Sequence, residues 1–256
     1  MTDNRKYPEI SVAILDTGVD AEHIDIKEEL LYKDFCGSGN KPEDLDGHGS
    51  HLTGIVMNNT TNVRLLSGRA MTHSYLVADN PMIRSIEWAK NHKVDIILIS
   101  AGFKYNKKEM ESVLLAALEA NIVIVAAIGN NGEAGDNAGC FPARYPGVIS
   151  VGSVNSEGQI SDFTDQFSEL VILAPGEDIT SYYLNGTTIE GSGTSQAAAS
   201  VAGSVADIIR VCREHKVSYS PESIINLLQS TGRPTSPPSA YKIIDKEKAI
   251  KAVAAV

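Results

Sequence analysis

The chain has 256 residues, 43% of them hydrophobic and 21% charged, with only 21 Gly and 10 Pro; disorder and fibrous repeats are excluded and one large globular domain over residues 1–256 is expected. Asp and Glu (32) outnumber Lys and Arg (22), for a net charge of −10. With no run of five basic residues, nucleic acid is not an expected partner, because its binding rests on neutralising phosphates. No apolar stretch approaches about 18 residues and the start, MTDNRKYPEI, is polar, so neither a membrane span nor a secretory signal is read, and no membrane partner is expected.

In chain order, short apolar runs at 11–15, 74–78, 94–99, 122–127, 148–151 and 170–173 read as strands. They alternate with stretches of helical period, the pattern of βαβ units and of a mostly parallel sheet buried on both faces. Pro81 opens a helix whose Met82, Ile83, Ile86 and Ala89 share one face, and a second helix over 107–120 turns Met110, Val113, Leu114, Ala117 and Leu118 inward. A long helix from Ser195 to about Arg213 carries Ala198, Ala202 and Gly203. Gly203 costs about 1 kcal/mol relative to Ala unless close packing repays it. Ser220-Pro221-Glu222 opens a helix through Leu228, and Asp245 caps the last. The expected fold class is α/β, three-layered, with a mostly parallel central sheet flanked by helices.

Three Gly-flanked polar islands interrupt this pattern: Asp16-Thr17-Gly18, Asp46-Gly47-His48-Gly49-Ser50-His51, and Gly191-Ser192-Gly193-Thr194-Ser195. Singly, each reads as a turn, a cap or an ordinary histidine. Asp16, however, stands at the carboxyl edge of a strand, where ligands gather in parallel sheets. Three cysteines (Cys36, Cys140, Cys212), odd in number and without CxxC spacing, form neither a disulfide framework nor a zinc site by themselves. His48 and His51 make HxxH without the Glu of HExxH, so His51 reads as packing and no metal ligands are assigned.

Taken together and in order, ILDTGVD around Asp16, DGHGSHLTGIV around His48, AAIGNNG around Asn130 and GSGTSQAAASVAG around Ser195 resemble the four motifs of the subtilisin-like serine proteases, whose triad runs Asp, His, Ser. The resemblance implies a serine endopeptidase acting on peptides or proteins. A Ser hydroxyl needs an adjacent base, and an imidazole of pKa about 6.5 suits that task; His48 is expected as base, Asp16 as its orienter and Ser195 as nucleophile. Asn130 matches the family's side-chain oxyanion donor, with the Ser195 N–H as the second. Activity is expected to rise with pH through the His48 pKa, on the order of 6 to 7.

The resemblance also implies a groove, with Ser100, Ala101 and Gly102 pairing with an extended substrate and Ala127, Ile128 and Gly129 as the opposite wall. Cys140 stands where the family commonly has a glycine at the primary pocket, and either narrows the floor or packs sideways. Asp46 either faces the substrate residue before the scissile one, favouring a basic side chain, or belongs to a solvated acidic loop with Glu43 and Asp44. After Ser195 the family's Pro and His are Ala199 and Ser200.

The chemistry requires no cofactor. A structural calcium belongs to the family, but residues 58–62 match its calcium loop too poorly for ligands to be assigned. Since relatives carry a signal and a propeptide before the catalytic domain, two expectations stand: an intracellular enzyme, favoured by the unpaired cysteines, or a catalytic domain excised from a longer chain with a prodomain or flanking domains. Two rivals keep the fold: a peptide ligase or macrocyclase that resolves the acyl-enzyme with an amine, and a catalytically silent interaction domain. A nucleotide-binding module is disfavoured, because Gln196 falls where GxGxxG needs its third glycine and 186–192 holds no Lys.

Overall fold

The computed structural model describes residues 9–24, 26, 30–37, 39, 41–74 and 76–255. Nine strands form one sheet in the order β12-β13-β9-β8-β7-β6-β1-β3-β2. In chain order these are β1 (Ile10–Asp16), β2 (Leu30–Asp34), β3 (Val63–Arg69), β6 (Ile96–Ile99), β7 (Val123–Ala127), β8 (Ile149–Val154), β9 (Ile172–Pro175), β12 (Arg233–Pro234) and β13 (Lys242–Ile243). All neighbouring pairs are parallel except β12 with β13. Two antiparallel hairpins stand apart, β4 (Met71–His73) with β5 (Leu76–Val77) and β10 (Ile179–Tyr182) with β11 (Thr188–Gly191).

The helices are α1 (His48–Asn59), α2 (Asp79–Asn91), α3 (Lys108–Glu119), α4 (Thr194–His215), α5 (Pro221–Thr231) and α6 (Lys246–Ala254). Strand alternation sorts them into outer layers. From β1, Ile10, Val12 and Ile14 enter a core shared with Leu52 of α1, Ala198 and Val205 of α4, Ile224 of α5 and Ala249 of α6. Ala13 and Leu15 enter the other core with Met82 and Ile86 of α2 and Met110 and Leu114 of α3. The three-layer α/β expectation is met.

Within that agreement, one strand sits elsewhere than its apolar run suggests. Of the run 74–78, residues 76 and 77 form the two-residue β5 and residue 75 lies outside the described residues, while β3, absent from the predicted strands, pairs with both β1 and β2. Its sequence VRLLSGR carries polar residues that mask the pattern. They are accommodated because Arg69, 3% exposed, is paired with Glu43 and Asp34 at 2.7 and 3.3 Å. Helix α2 starts at Asp79, which puts Pro81 third; its missing N–H is harmless there, since the first four N–H groups of a helix lack intrahelical acceptors. Ser220 caps α5 through a capping box with Ser223, and Asp245 accepts from Lys248 N at 2.9 Å.

Gly203 repays its cost. A Cβ there would lie 2.6 Å from Asn59 Cβ and 2.9 Å from Val56 O, so the missing side chain lets α4 lie against α1. The chain leaves β1 for the edge strand β2, returns through α1 to β3 between them, then crosses through α2 to β6 on the other side of β1. At such a reversal the strand ends of a parallel sheet open a crevice. Asp16 ends β1, Ser100 follows β6, and Asn130 lies three residues beyond β7.

Candidate active site

His48 is the first residue of α1, after Gly47 in a left-handed conformation (φ 96°). The turn is fastened to the loop after β1: Gly49 N donates to Thr17 Oγ1 at 2.9 Å and Asp20 N to Ser50 Oγ at 2.9 Å. Asp44, 7% exposed, accepts from Ser50 N and Oγ at 2.9 and 2.8 Å and from Gly47 N at 2.8 Å. A buried carboxylate thus takes up orphan N–H groups at the helix start.

This fastening sets His48 Nδ1 2.7 Å from Asp16 Oδ1, which also accepts from Thr17 N at 2.8 Å. The Asp16 and His48 side chains are 1% and 17% exposed. Asp16 Oδ2 meets no donor among the described residues. With its proton on Nδ1 facing the carboxylate, the imidazole presents Nε2 as a base. Burial pushes the His48 pKa down, but the charge and hydrogen bond of Asp16, with the charges of Asp46 and Asp44, outweigh it and hold the pKa above the ordinary 6.5.

A cavity of about 330 Å³ holds His48 and Ser195 together with Ser100, Ala101, Gly102, Ala127, Gly129, Asn130 and Cys140. Ser195 is the second residue of α4. Its hydroxyl donates to Ser100 O at 3.5 Å, and Ser100 Oγ donates back to Ser195 O at 3.4 Å. Both contacts are at the long limit of hydrogen bonding, and the hydroxyl is not bonded to His48. Asn130 Oδ1 accepts from Thr194 N and Thr194 Oγ1, both at 2.8 Å. With its oxygen doubly engaged, the amide has its Nδ2 donors left for the cavity.

Cys140 lines the cavity between Gly102 and Ala127. Its thiol donates to Ala127 O at 3.5 Å, and a Cβ on Gly102 would come within 2.3 Å of its sulfur. The side chain lies between the two walls and narrows the slot. Burial, with the charge of Asp165, pushes the thiol up to about 12, so it is protonated and poorly nucleophilic.

Two expected groove residues lie outside the cavity lining. Ile128 is fully buried; its N–H donates to Val151 O at 3.0 Å and its carbonyl accepts from Cys140 N at 2.8 Å. It backs the wall through its main chain while its side chain joins the core beneath. Asp46 turns inward: Oδ1 accepts from His48 N at 3.3 Å, and Oδ2 accepts from Ser74 N at 3.3 Å and lies 3.5 Å from His73 Nδ1. Sequence reading missed Thr194, Asp44 and Gln196, the last of which also lines the cavity. Thr194 and Gln196 flank Ser195 in the fourth motif, which was the available signal; the role of Asp44 rests on its contacts with α1.

His51 is buried, with Nε2 3.2 Å from Ile189 O and no partner on Nδ1 among the described residues. Burial lowers its pKa and favours the neutral ring. In the loop after α1, Asn59 O accepts from Lys246 Nζ at 2.9 Å and Thr61 O accepts from Arg210. Asp207 Oδ1 accepts from Thr60 Oγ1 at 2.7 Å, Oδ2 accepts from Lys246 Nζ at 2.9 Å, and Arg210 pairs with Asp207. Its oxygens and the two carbonyls thus already face two protein cations.

Residues 8–247 match the subtilase family. Subtilisin amylosacchariticus of Bacillus subtilis subsp. amylosacchariticus is 33% identical over 210 residues, 78% of this chain and 55% of that protein. The chain thus spans about half the length of the first curated relatives it matches. The major intracellular serine protease of Bacillus subtilis (strain 168) is 32% identical over 222 residues, 78% of this chain and 68% of that protein. Among solved structures, the patellamide maturation protease PatA superposes with a TM-score of 0.82 at 27% identity, covering 97% of this chain and 98% of that one. Motifs, architecture and relatives agree, and the chain belongs to the subtilase family.

Proposed function

We propose that the protein is a serine endopeptidase that hydrolyses peptide bonds through an acyl-enzyme on Ser195. The observation that carries this reading is the 2.7 Å bond from His48 Nδ1 to Asp16 Oδ1, buried at the edge of the cavity that Ser195 and Asn130 also line. His48 Nε2 takes the Ser195 proton as the hydroxyl oxygen attacks the substrate carbonyl, and Asp16 steadies the imidazolium that results. The weak contact to Ser100 O leaves the hydroxyl free to turn toward His48; such bonds are often long before substrate arrives. Asn130 Nδ2 and the Ser195 N–H at the start of α4 donate to the developing oxyanion. His48 then protonates the leaving amine, and water deacylates Ser195 by the same route.

Labelling with a fluorophosphonate probe tests the assignment. Label is expected on the wild-type chain and absent from Ser195→Ala; a wild type that takes no label sinks the endopeptidase reading.

The likeness to PatA, a maturation protease by its description, favours a precursor peptide as substrate. An amine in place of water at deacylation would make the protein a peptide ligase or macrocyclase with the same residues. Mass spectrometry of a cleaved peptide discriminates: free carboxyl termini support hydrolysis, and joined or cyclic products overturn it.

A further inference from the structure

Asp165 lies 35 residues beyond Asn130, in no motif, and is fully buried. Its Oδ1 accepts from Asn131 N at 3.1 Å and Glu133 N at 2.9 Å, and its Oδ2 from Asn131 Nδ2 at 3.1 Å. Its own N–H donates to Gly129 O at 3.2 Å. Gly129 has φ 124°, and a Cβ there would fall 2.2 Å from Asp165 Oδ2, so the carboxylate rests against the main chain immediately before Asn130. A carboxylate removed from water is costly unless N–H groups or cations replace the water. Here three N–H donors on residues 131 and 133, just after Asn130, do so, while Asp165's own N–H ties the residue before Asn130, and no salt bridge to Asp165 is found among the described residues.

We infer that Asp165 is a positioning residue for Asn130. It grips residues 129–133 from beneath while Thr194 holds Asn130 Oδ1 from the side, and together they point Nδ2 at the place where the oxyanion forms. The acceptors matter: Oδ1 serves the main-chain N–H groups of residues 131 and 133 and Oδ2 the Asn131 side chain, and a neutral amide would put a donor in place of one of these oxygens. The inference rests on the oxyanion role of Asn130 given above and adds a residue that acts through it.

A double-mutant cycle with a chromogenic peptide p-nitroanilide tests it, with rates normalised to the fraction of chain that takes the fluorophosphonate label, so that a poorly folded variant is not scored as slow. Asp165→Ala is expected to lower kcat by up to about 10²-fold, the scale of a 1 Å misplacement, with KM little changed. In the Asn130→Ala background the same substitution is expected to have almost no further effect, because the group it positions is gone. Asp165→Asn, which keeps one acceptor for the two main-chain N–H groups, is expected to fall between, and supplies the comparison if the Ala variant does not fold. Equal losses in both backgrounds, or an unchanged kcat in both Asp165 variants, overturn the positioning role while leaving Asn130 in place. An unchanged kcat in Asn130→Ala alone overturns the oxyanion reading and the inference with it.

Discussion

At His48, protonation pulls stability and activity in opposite directions. Its folded pKa is raised above 6.5 by Asp16, Asp46 and Asp44 against the effect of burial. The resulting stabilisation is fully present below the unfolded value and is lost as pH rises through the folded one. Catalysis needs the neutral ring, so kcat/KM is expected to rise through that same folded value, with the acidic limb above 6.5. Asp46→Asn removes one of the charges that raise it, and the limb is expected to move to lower pH; a pH profile of kcat/KM that does not move contradicts the contribution of Asp46, and a rate flat from about pH 5 to 8 contradicts His48 as the base. The types of the reacting residues were legible in sequence because each sits in a short motif. Asp46 was legible as a neighbour of His48, but not its inward turn, since its Oδ2 is met by Ser74 and His73 at the end of β4.

Helices α1 and α4 carry His48 and Ser195, and their mutual distance sets the site. Gly203 makes the approach possible, and Gly203→Ala would place a Cβ 2.6 Å from Asn59 Cβ and 2.9 Å from Val56 O. Main-chain atoms cannot rotate away, so the substitution is expected to destabilise by about 1–3 kcal/mol, read as a lower denaturation midpoint in urea. An unchanged midpoint would mean that the helices part freely. The helices themselves were readable: the 3.6-residue period marks α2, α3 and α4, and Ser220 and Asp245 mark the starts of α5 and α6. Strand β3 was not, because Arg64, Ser67 and Arg69 break its apolar run, and β2 was not, because it is a half-exposed edge strand of sequence LLYKD. Pairing with β1 makes β3 a strand, and pairing lies outside local sequence.

Over the whole molecule, α1, α4 and α6 meet at a polar corner where Lys246 and Arg210 donate to the carbonyls of Asn59 and Thr61 and both pair with Asp207. Family resemblance places a calcium loop in this region, and here the protein's own cations bond its carbonyls. Lys246→Met is expected to cost about 1 kcal/mol, a fall of about 2–4 °C in Tm for a chain of this size, and added calcium is not expected to restore it. Restoration by calcium would show that the corner accepts a divalent ion after all.

By itself, the sequence determined the α/β class and singled out Asp16, His48, Ser195 and Asn130 as the groups of the proposed mechanism, because those properties reside in periodicity and in contiguous motifs. Tertiary structure alone decided how these side chains face one another. It joined Asp16 to His48 across 32 residues, turned Asn130 by Thr194 across 64, and set Asp165 beneath the loop that carries Asn130. It also sent the Ile128 side chain into the core and turned Asp46 inward. Hydrogen bonds are short and directional, so which polar atoms meet depends on how strands and helices far apart in the chain come to lie together.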